Sequence, residues 1–294
     1  MLTVRAPATS ANLGSGFDVF GVALDRPADV VRVERAERTT IEITGVGSQY
    51  IPTDPAKNTA GVVAQELNAP AHIRIDKGVR PASGMGSSAA SAAATAVALN
   101  ELYDRGRSDE ELVRVAAEGE AAVSGDAHAD NVAPSILGGF TVVTEERVMH
   151  TDVELPLVAC LPESVVSTRD ARDVIPERVG LDAVTDVVGS AATLVTGMHR
   201  GDPELVGAGM NDGVVTPARA ELIDGYDTVV RAASEAGATG VTVSGSGPSV
   251  LAVPESPDAR REVAAAMVGA FAEQGIEARA FQTEVGSGAE LLDS

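Results

Sequence analysis

Apolar and polar residues alternate with two different periods along residues 1–155. Period-two alternation or a short apolar run predicts strands at residues 3–6, 30–33, 40–44, 72–75 and 140–143. Residues 58–67 and the alanine-rich run at 91–102 have the composition of helices. Ser108 and Glu111 form a Ser-x-x-Glu capping box, which predicts a further helix that ends near Gly125.

Residues 156–294 also mix helical and strand patterns. A buried strand is expected between Pro156 and Pro162. Helices are predicted at 182–199, 203–210, 216–223, 225–236 and 258–274, and strands at 240–244, 249–253 and 277–283. Gly237 and Gly275 stand where helix C-caps are expected, and the last few residues are expected to fray. The pattern predicts an α+β protein with domains at 1–155 and 156–294.

The net charge of the chain limits the classes of molecule that it can bind. The chain has 43 acidic and 22 basic residues, a net charge of −21, and its only lysines are Lys57 and Lys77. Such a surface repels phosphate backbones, so no nucleic-acid partner is expected. An acidic, lysine-poor chain is typical of proteins that work in concentrated salt, where screening weakens self-repulsion. Intrinsic disorder is disfavoured because the chain is rich in apolar, periodic segments.

The sequence also indicates the cellular compartment in which the protein works. No run approaches the roughly twenty apolar residues of a membrane helix, so no membrane association is expected. Residues 1–7 lack the apolar block of a signal peptide. Cys160 is the only cysteine, which excludes an intrachain disulfide and a cysteine metal cluster. A cytoplasmic protein is expected.

A glycine-rich loop is the clearest candidate for a phosphate-binding site in the sequence. Residues 84–90 read Gly-Met-Gly-Ser-Ser-Ala-Ala and lead into the alanine-rich helix. A helix start presents unpaired N–H groups and the positive end of the dipole, which suits a phosphate. An ordinary Gly-Ser turn is the alternative. The loop contains no lysine and is neither a P-loop nor a Gly-x-Gly-x-x-Gly dinucleotide turn.

A carboxylate near that loop could hold a metal ion. Glu120 lies on the helix that begins after Ser108, and Mg²⁺ takes one or two carboxylates together with phosphate oxygens. A serine hydroxyl of the loop could lie beside it. The alternative for a lone glutamate is a solvated helix face. His128 could act in catalysis, although an isolated histidine more often packs or caps.

Two other loops and two arginines could bind a small polar molecule. Asn12 and Asp18 lie in a glycine-bearing loop after a strand, and could aim an amide and a carboxylate at a ligand; a surface loop with Asx-turns is the alternative. Residues 243–249 are glycine-rich and allow close approach to another loop or to a phosphate, or form a hairpin turn. Arg172 and Arg219 suit a substrate carboxylate, unless they are ordinary surface arginines.

The order of these loops resembles a known family. The segments at 12–18, 84–90 and 240–248 are similar to the three signature motifs of the GHMP kinases, named for galacto-, homoserine, mevalonate and phosphomevalonate kinases. The resemblance is strongest to the homoserine kinase branch, on Pro-Ala-Thr-Ser-Ala-Asn-Leu-Gly from Pro7 and His-x-Asp-Asn-Val-Ala-Pro from His128. It spans nearly the whole chain. Met85 departs from the usual leucine, which conserves volume.

The resemblance implies a fold and a nucleotide site. It implies a ribosomal-protein-like N-terminal domain with a left-handed βαβ unit, followed by a ferredoxin-like C-terminal domain. It implies that ATP is the phosphate donor and that Mg²⁺ is held by Ser88 and Glu120. The implied ATP-binding residues are Asn58, Arg80, Pro81, Ala82, Ser83, Gly84, Met85, Gly86, Ser87, Ser88, Ala89 and Ala90.

The resemblance also implies a substrate, L-homoserine, and a product, O-phosphohomoserine, on the route to threonine. The residues implied to hold the substrate are Asn12, Asp18, His128, Asn131, Arg172 and Arg219. Asn131 stands where other branches of the family have an aspartate base, and an amide cannot take a proton. The hydroxyl would then attack the γ-phosphate directly, with Asp130 as the one rival base.

Two alternatives remain open. The chain could be a GHMP kinase for another small alcohol such as shikimate or mevalonate, or a non-catalytic relative that binds a ligand. Two arginines for a carboxylate and Asp18 for an ammonium group favour an amino-acid substrate. The glycine loop, Ser88 and Glu120 favour catalysis. A homodimer is possible.

Overall fold

The computed structural model describes residues 1–125, 127 and 129–292. Two sheets carry helices on their faces, so the mixed α+β architecture is confirmed. No helix in the described ranges combines the length and apolar character needed to cross a membrane.

The first sheet has seven strands. They are β1 (Leu2–Ala11), β2 (Phe20–Arg35), β3 (Thr40–Gly45), β4 (Ala71–Lys77), β5 (Phe140–Val143), β6 (Val148–Thr151) and β11 (Glu290–Leu292). The main order is β11-β1-β2-β4-β3, and β5 pairs with both β2 and β6. Only the pairing of β3 with β4 is parallel among these described strands.

Four helices accompany this sheet: α1 (Thr59–Glu66), α2 (Ser87–Leu102), α3 (Asp109–Ser124) and α4 (Ala129–Leu137). The alanines of α2 are buried in the same cluster as Val4, Val31 and Ile73 of the strands. Small side chains let a helix lie close to a sheet. The alanine run therefore sets the position of α2, and with it the glycine loop at its start.

The second sheet is antiparallel and has the order β10-β7-β9-β8. Its strands are β7 (Pro156–Pro162), β8 (Ala238–Val243), β9 (Val250–Pro254) and β10 (Ala278–Glu284). The helices of this region are α5 (Thr168–Asp173), α6 (Leu181–Arg200), α7 (Pro203–Gly209), α8 (Val215–Ala220), α9 (Tyr226–Glu235) and α10 (Arg260–Glu273). A shared hydrophobic cluster that includes Leu24, Leu157 and Leu251 joins the two sheets.

A short strand near the end of the chain was not expected from the sequence. The last few residues were expected to fray; of these, Glu290–Leu292 form β11, which pairs with β1 and places Thr3 opposite Leu292, and residues 293 and 294 lie outside the described residues. The chain thus returns to the first sheet after the second is complete. The division into domains at 1–155 and 156–294, and the left-handed crossover, stay predictions.

Besides β6 and β11, the sequence pattern did not predict the first part of β2, helix α4 or helix α5. Residues 20–24 of β2 are buried at every position, so they show no alternation. Helix α4 has Pro134 in its interior, which usually argues against a helix, and α5 spans only six residues.

Candidate active site

Three loops meet at one buried serine. The hydroxyl of Ser244, at the end of β8, lies 2.8 Å from the hydroxyl of Ser10 and donates to the carbonyl of Gly84 at 2.7 Å. The N–H of Gly245 donates to the carbonyl of Ala11 at 3.2 Å. The end of β1, the loop before α2 and the loop after β8 are therefore bonded to one another, as the glycines at 243–249 allowed.

The glycines of the second loop are required by protein neighbours. Gly84 has a φ of +75°, and a Cβ there would lie 2.4 Å from the carbonyl oxygen of Ser244. Gly86 has a φ of +63°, and a Cβ there would lie 2.0 Å from Oγ1 of Thr9. Only glycine fits such a backbone at such separations. These contacts explain the glycines without a ligand, so close approach to a phosphate stays a prediction.

The start of α2 suits an anion. Its N-cap is Gly86, which provides no side-chain cap, and the hydroxyl of Ser87 donates to the carbonyl of Val79 at 2.7 Å instead. Gly86, Ser87, Ser88 and Ala89 all line the same cavity. The first-turn N–H groups and the positive end of the helix dipole thus face a space that a phosphate could fill.

A buried ion pair lies beneath this helix start. Lys77 is paired with Asp29, and its ammonium also donates to the carbonyl of Ser87 at 2.6 Å and to the hydroxyl of Ser91 at 2.9 Å. Burial lowers the pKa of Lys77, and the negative charge of Asp29 opposes that effect. Sequence reasoning missed this pair. Its one signal was that Lys77 is one of only two lysines in the chain.

A serine and a glutamate meet at the same helix start. The hydroxyl of Ser88 donates to Oε2 of Glu120 at 2.7 Å, and Glu120 is 2% exposed. The solvated-face interpretation of Glu120 is therefore wrong. The capping box at Ser108 and Glu111 starts α3 as predicted, and the buried face of that helix carries Glu120 to this point.

The two oxygen donors match the ligand preference of Mg²⁺. Carboxylate and hydroxyl oxygens are ligands that Mg²⁺ accepts, and the ion usually completes its shell with phosphate oxygens and water. No group of three or more His, Cys, Asp or Glu residues within the described ranges could hold a metal alone. Ser88 and Glu120 therefore fit a magnesium ion that arrives with a nucleotide.

Charged side chains also line this cavity. Arg172 is paired with Asp18, with 2.6 Å between Nη1 and Oδ2. The guanidinium groups of Arg172 and Arg219 each lie 5.1 Å from the ring of Phe17. Arg172, Arg219 and Asp18 thus lie close together, and their predicted role in substrate binding stays a prediction.

Arg219 also has a structural role. It is 5% exposed and donates to the carbonyls of Gly245 at 2.7 Å and Ala171 at 3.2 Å. Burial lowers the pKa of Arg219, and the carboxylate of Asp18 opposes that effect. Arg219 remains a cation because the ordinary pKa of arginine lies far above neutral pH.

Asn12 shapes the first loop. Its Nδ2 donates to the carbonyl of Gly245 at 3.1 Å, and its Oδ1 accepts from the N–H of Asp18 at 3.0 Å. Asn12 also has a φ of +72°, a conformation that asparagine tolerates better than most residues. The amide predicted to meet a ligand thus holds Asp18 in place.

Asn131 is oriented by a residue that sequence reasoning missed. Oγ1 of Thr9 donates to Oδ1 of Asn131 at 2.9 Å, and Nδ2 of Asn131 lies 3.4 Å from Oδ1 of Asp130. Both Asp130 and Asn131 line the cavity. His128, the third member of the predicted set, lies outside the described residues.

One cavity of about 260 Å³ joins these groups. The sequence-predicted residues that line it are Asn12, Asp18, Asn58, Pro81, Ala82, Ser83, Gly84, Gly86, Ser87, Ser88, Ala89, Glu120, Asp130, Asn131, Arg172 and Arg219. Of the predicted residues that the structure describes, three do not line it. The side chains of Met85 and Ala90 are buried in the core, and Arg80 pairs with Glu163 at 2.8 Å.

A third part of the cavity adjoins the start of α1. Asn58 caps that helix through an N–H of Ala60 and donates to the carbonyl of Pro52 at 2.8 Å. Ile43, Ile51 and Lys57 also line the cavity and were not predicted from the sequence. They lie well before the glycine loop in the sequence, and only the folded chain brings them to the same cavity.

Comparison with known proteins defines the class. The model of the GHMP kinases N terminal domain matches residues 55–139, and the model of the GHMP kinases C terminal domain matches residues 194–273. These matches together span more than half of the chain. The chain belongs to the GHMP kinase family.

Comparison with full-length relatives identifies the branch of the GHMP kinase family. Homoserine kinase of Natronomonas pharaonis is 70% identical over 99% of this chain and 100% of the relative. Homoserine kinase of Haloarcula marismortui is 68% identical with the same coverage. The crystal structure of homoserine kinase from Cytophaga hutchinsonii superposes with a TM-score of 0.90 at 35% identity, over 99% of this chain and 97% of that one. Within the GHMP kinases, the chain thus belongs with the homoserine kinases.

Proposed function

We propose that this protein transfers the γ-phosphoryl group of ATP to the side-chain hydroxyl of L-homoserine, which yields O-phospho-L-homoserine on the route to threonine. One observation carries the proposal: a single cavity joins the start of α2 to the cluster of Asp18, Arg172 and Arg219. The first end suits a polyphosphate and the second suits a zwitterion. The full-length similarity to homoserine kinases supports the same reaction.

The triphosphate of ATP would lie on residues 84–90. The first turn of α2 offers N–H groups and a positive dipole, and Gly86 leaves them without a capping side chain. The adenine would lie towards Asn58, where Ile43 and Ile51 provide apolar surface for a flat ring. These assignments rest on the chemistry of the lining and on the family resemblance.

Ser88 and Glu120 would hold Mg²⁺ together with oxygens of the bound nucleotide. The carboxylate and the hydroxyl are already 2.7 Å apart, so both donors lie at one point of the helix start. When bound, Mg²⁺ supplies neutralisation of the charge on the phosphate oxygens. Burial of Glu120 protects that carboxylate from competing water.

Homoserine would bind through its two charges. Its ammonium group complements Asp18 and its carboxylate complements Arg172 and Arg219, and guanidinium–carboxylate pairs are strong, directional contacts. Asp18 and Arg172 are paired with each other in the structure, so an incoming zwitterion can satisfy both. Shikimate and mevalonate carry a carboxylate but no ammonium group, so a carboxylate of theirs that drew Arg172 away from Asp18 would give Asp18 no cation in exchange.

The proton of the attacking hydroxyl needs no strong base in this proposal. Oδ1 of Asn131 is engaged by Thr9, which directs the amide Nδ2 towards Asp130 and the cavity. An amide can orient a hydroxyl but cannot accept its proton. Phosphoryl transfer depends mainly on positioning and charge neutralisation. The hydroxyl oxygen would attack the γ-phosphorus as the bond to the β-phosphate oxygen breaks and ADP leaves, and the hydroxyl proton would pass to an oxygen of the transferred phosphoryl group.

The base-free mechanism is tested by Asp130→Asn. A true general base contributes typically about 10²–10⁴-fold to the rate. We expect a loss of about tenfold or less, with the fold intact by circular dichroism. A loss beyond about a thousandfold would make Asp130 the base.

The reaction itself is tested by a substrate panel. Purified enzyme in molar KCl with Mg²⁺ and ATP is offered homoserine, shikimate or mevalonate, and ADP release is followed by a coupled assay. We expect kcat/KM for homoserine to exceed the others by at least about a hundredfold, since one lost charge–charge contact is worth about 1.5–3 kcal/mol and the hydroxyl is also misplaced. Equal turnover of mevalonate would contradict the proposal.

The proposed reaction indicates the cellular compartment and the binding partner of the protein. An enzyme that uses ATP to phosphorylate an amino acid acts where both are found, so we infer a cytoplasmic site of action. Its partner is a small molecule, and a net charge of −21 disfavours nucleic acid.

A further inference from the structure

The only two lysines of the chain, Lys57 and Lys77, line the same cavity. Arginine provides all the other permanent positive charges on side chains. The ammonium group of lysine is a compact point charge on a flexible stem, whereas the guanidinium group of arginine is a planar fork. A chain that uses arginine everywhere else therefore has this point charge only at the cavity, which indicates that the cavity has a use for it.

Lys77 has no donor to spare for a ligand. Its ammonium group donates to the carboxylate of Asp29, to the carbonyl of Ser87 and to the hydroxyl of Ser91. An ammonium group has three N–H donors, and these three bonds use all of them. Lys77 therefore holds the chain beneath the start of α2, and it could contact a phosphate only by giving up one of these bonds.

The two arginines of the cavity are also engaged. Arg172 is paired with Asp18, and Arg219 donates to two backbone carbonyls. The proposed reaction assigns both of them to the carboxylate of homoserine. Among the cationic side chains that line the cavity in the described part of the chain, Lys57 is then the one left for the phosphates of the nucleotide.

Lys57 is held only weakly in the structure. Its side chain is 75% exposed, and its Nζ lies 4.0 Å from Oδ2 of Asp54, at the outer limit of an ion pair. An exposed pair at this separation contributes little, because water screens both charges. The ammonium group can therefore leave Asp54 when an anion with a higher charge enters the cavity.

The position of Lys57 brings it towards the proposed metal site. Lys57 lies two residues before Thr59, the first residue of α1, and two residues of chain span at most about 7 Å. A Cβ at Gly119 would lie 3.3 Å from the carbonyl oxygen of Thr59. Gly119 directly precedes Glu120, whose carboxylate accepts from Ser88. Lys57 thus approaches the cavity beside the helix that carries Glu120.

We propose that Lys57 binds ATP: its ammonium group leaves Asp54 and pairs with a phosphate oxygen of the nucleotide. The inference rests on the proposed use of ATP. A lysine is a common phosphate ligand in glycine-loop nucleotide sites, and the loop at residues 84–90 contains none. Lys57 supplies that charge from another segment. It also offsets the repulsion between an anionic nucleotide and a chain of net charge −21.

The first experiment measures binding by calorimetry in molar KCl with Mg²⁺. The two ligands are ADP and adenosine, which lacks phosphate. The proteins are wild type, Lys57→Gln, Lys57→Arg and Arg114→Gln. Arg114 is the matched control, since its side chain is 63% exposed, pairs with Glu110 at 3.7 Å and is not among the residues that line the cavity.

The loss should be confined to the phosphate-bearing ligand. We expect the Kd for ADP to rise about five- to twentyfold in Lys57→Gln, because a charge-assisted contact to a phosphate is lost. Lys57→Arg keeps the charge and should stay within about threefold of wild type. Arg114→Gln should bind ADP as wild type does. The affinity for adenosine should be the same in all four proteins.

The second experiment uses the unaltered protein. Wild type is acetylated with an amine-reactive ester alone, with saturating ADP or with adenosine, and the modified peptides are identified by mass spectrometry. We expect ADP to slow acetylation of Lys57 by at least about fivefold, since an ammonium group paired with a phosphate is a poor nucleophile, and adenosine to leave it unchanged. Lys77 is buried, so its acetylation would report loss of the fold.

Each other outcome overturns the proposal in an identifiable way. If wild type does not bind ADP, both this inference and the proposed use of ATP fail. If Lys57→Gln binds ADP as tightly as wild type, this inference alone fails. Equal losses of affinity for ADP and adenosine, or equal protection by the two, would place Lys57 on the base or the sugar. Should Lys57→Gln fail to fold, the labelling of wild type decides by itself.

Discussion

Oγ1 of Thr9 donates a 2.9 Å hydrogen bond to Oδ1 of Asn131. Thr9 is fully buried in β1, and its N–H donates to the carbonyl of Met85 in the glycine loop at 3.1 Å. One residue therefore fixes both the amide beside the proposed hydroxyl and the loop beside the proposed phosphate. The distance between the two reacting groups depends on this residue.

Thr9→Val should slow the chemical step. Valine keeps the shape of threonine but leaves Oδ1 of Asn131 without its donor, and one such hydrogen bond is worth about 0.5–1.5 kcal/mol. We expect kcat to fall about three- to tenfold while KM for ATP stays within about twofold. Thr9→Ser keeps the hydroxyl and should restore kcat. Equal values for the two variants would show that Thr9 has only a packing role.

Gly86→Ala should abolish activity, whereas Gly106→Ala should not. Both residues have a φ of +63°, so the two substitutions impose similar backbone strain. A Cβ at Gly86 would lie 2.0 Å from Oγ1 of Thr9 and 3.0 Å from Oδ1 of Asn131, but a Cβ at Gly106 meets nothing within 4 Å. A comparison of kcat/KM in the two variants distinguishes the effect of the steric contact at Gly86 from the effect of backbone strain. Similar losses in both would remove the contact argument.

Arg172→Ala should weaken binding of the amino acid and not of ATP. A lost guanidinium–carboxylate contact costs about 1.5–3 kcal/mol, so KM for homoserine should rise about tenfold or more. Arg169 lies on the same short helix, is exposed and is paired with Asp173 at 3.9 Å, so Arg169→Ala is the matched control. If KM for ATP rises as much as KM for homoserine, Arg172 is structural. Arg219→Ala is a poorer test because Arg219 also holds two backbone carbonyls.

The sequence predicted most elements because their patterns are local. The capping box at Ser108 and the alanine run of α2 each specify a helix with no help from the rest of the chain. The residues of the first and second loops and Glu120 were also identified from the sequence as candidate site residues. The order of the loops indicated the family, and the family resemblance implied their roles.

What the sequence could not predict depends on contacts between distant segments. The pairing of β11 with β1 joins the two ends of the chain, and no local pattern specifies it. Thr9 lies in a buried strand and looks like an ordinary core residue until Asn131 is placed beside it. Asn12 looks like a ligand-binding amide, but its hydrogen bonds to Gly245 and Asp18 are visible only in the fold.

The fold should require salt. The net charge of −21 repels itself at low ionic strength, where the Debye length is about 30 Å at 0.01 M against about 3 Å at 1 M. We expect the thermal midpoint to rise markedly from dilute buffer to molar KCl. Melts at the two concentrations, followed by circular dichroism at one protein concentration, decide the matter. Equal midpoints would refute adaptation to salt.

The central claim is that phosphoryl transfer to an amino-acid hydroxyl occurs where Ser88 meets Glu120. The most direct measurement incubates ATP with homoserine at saturating Mg²⁺ and follows the nucleotide and any phosphoester by phosphorus NMR. The enzymes compared are wild type, Glu120→Gln and Glu118→Gln. Glu118 is exposed on the same helix and serves as the control. We predict that wild type and Glu118→Gln convert ATP stoichiometrically into ADP and a phosphoester of homoserine, and that Glu120→Gln is slower by at least about a hundredfold, a loss of about 2.7 kcal/mol. No phosphoester from wild type, or wild-type turnover by Glu120→Gln, would contradict the claim.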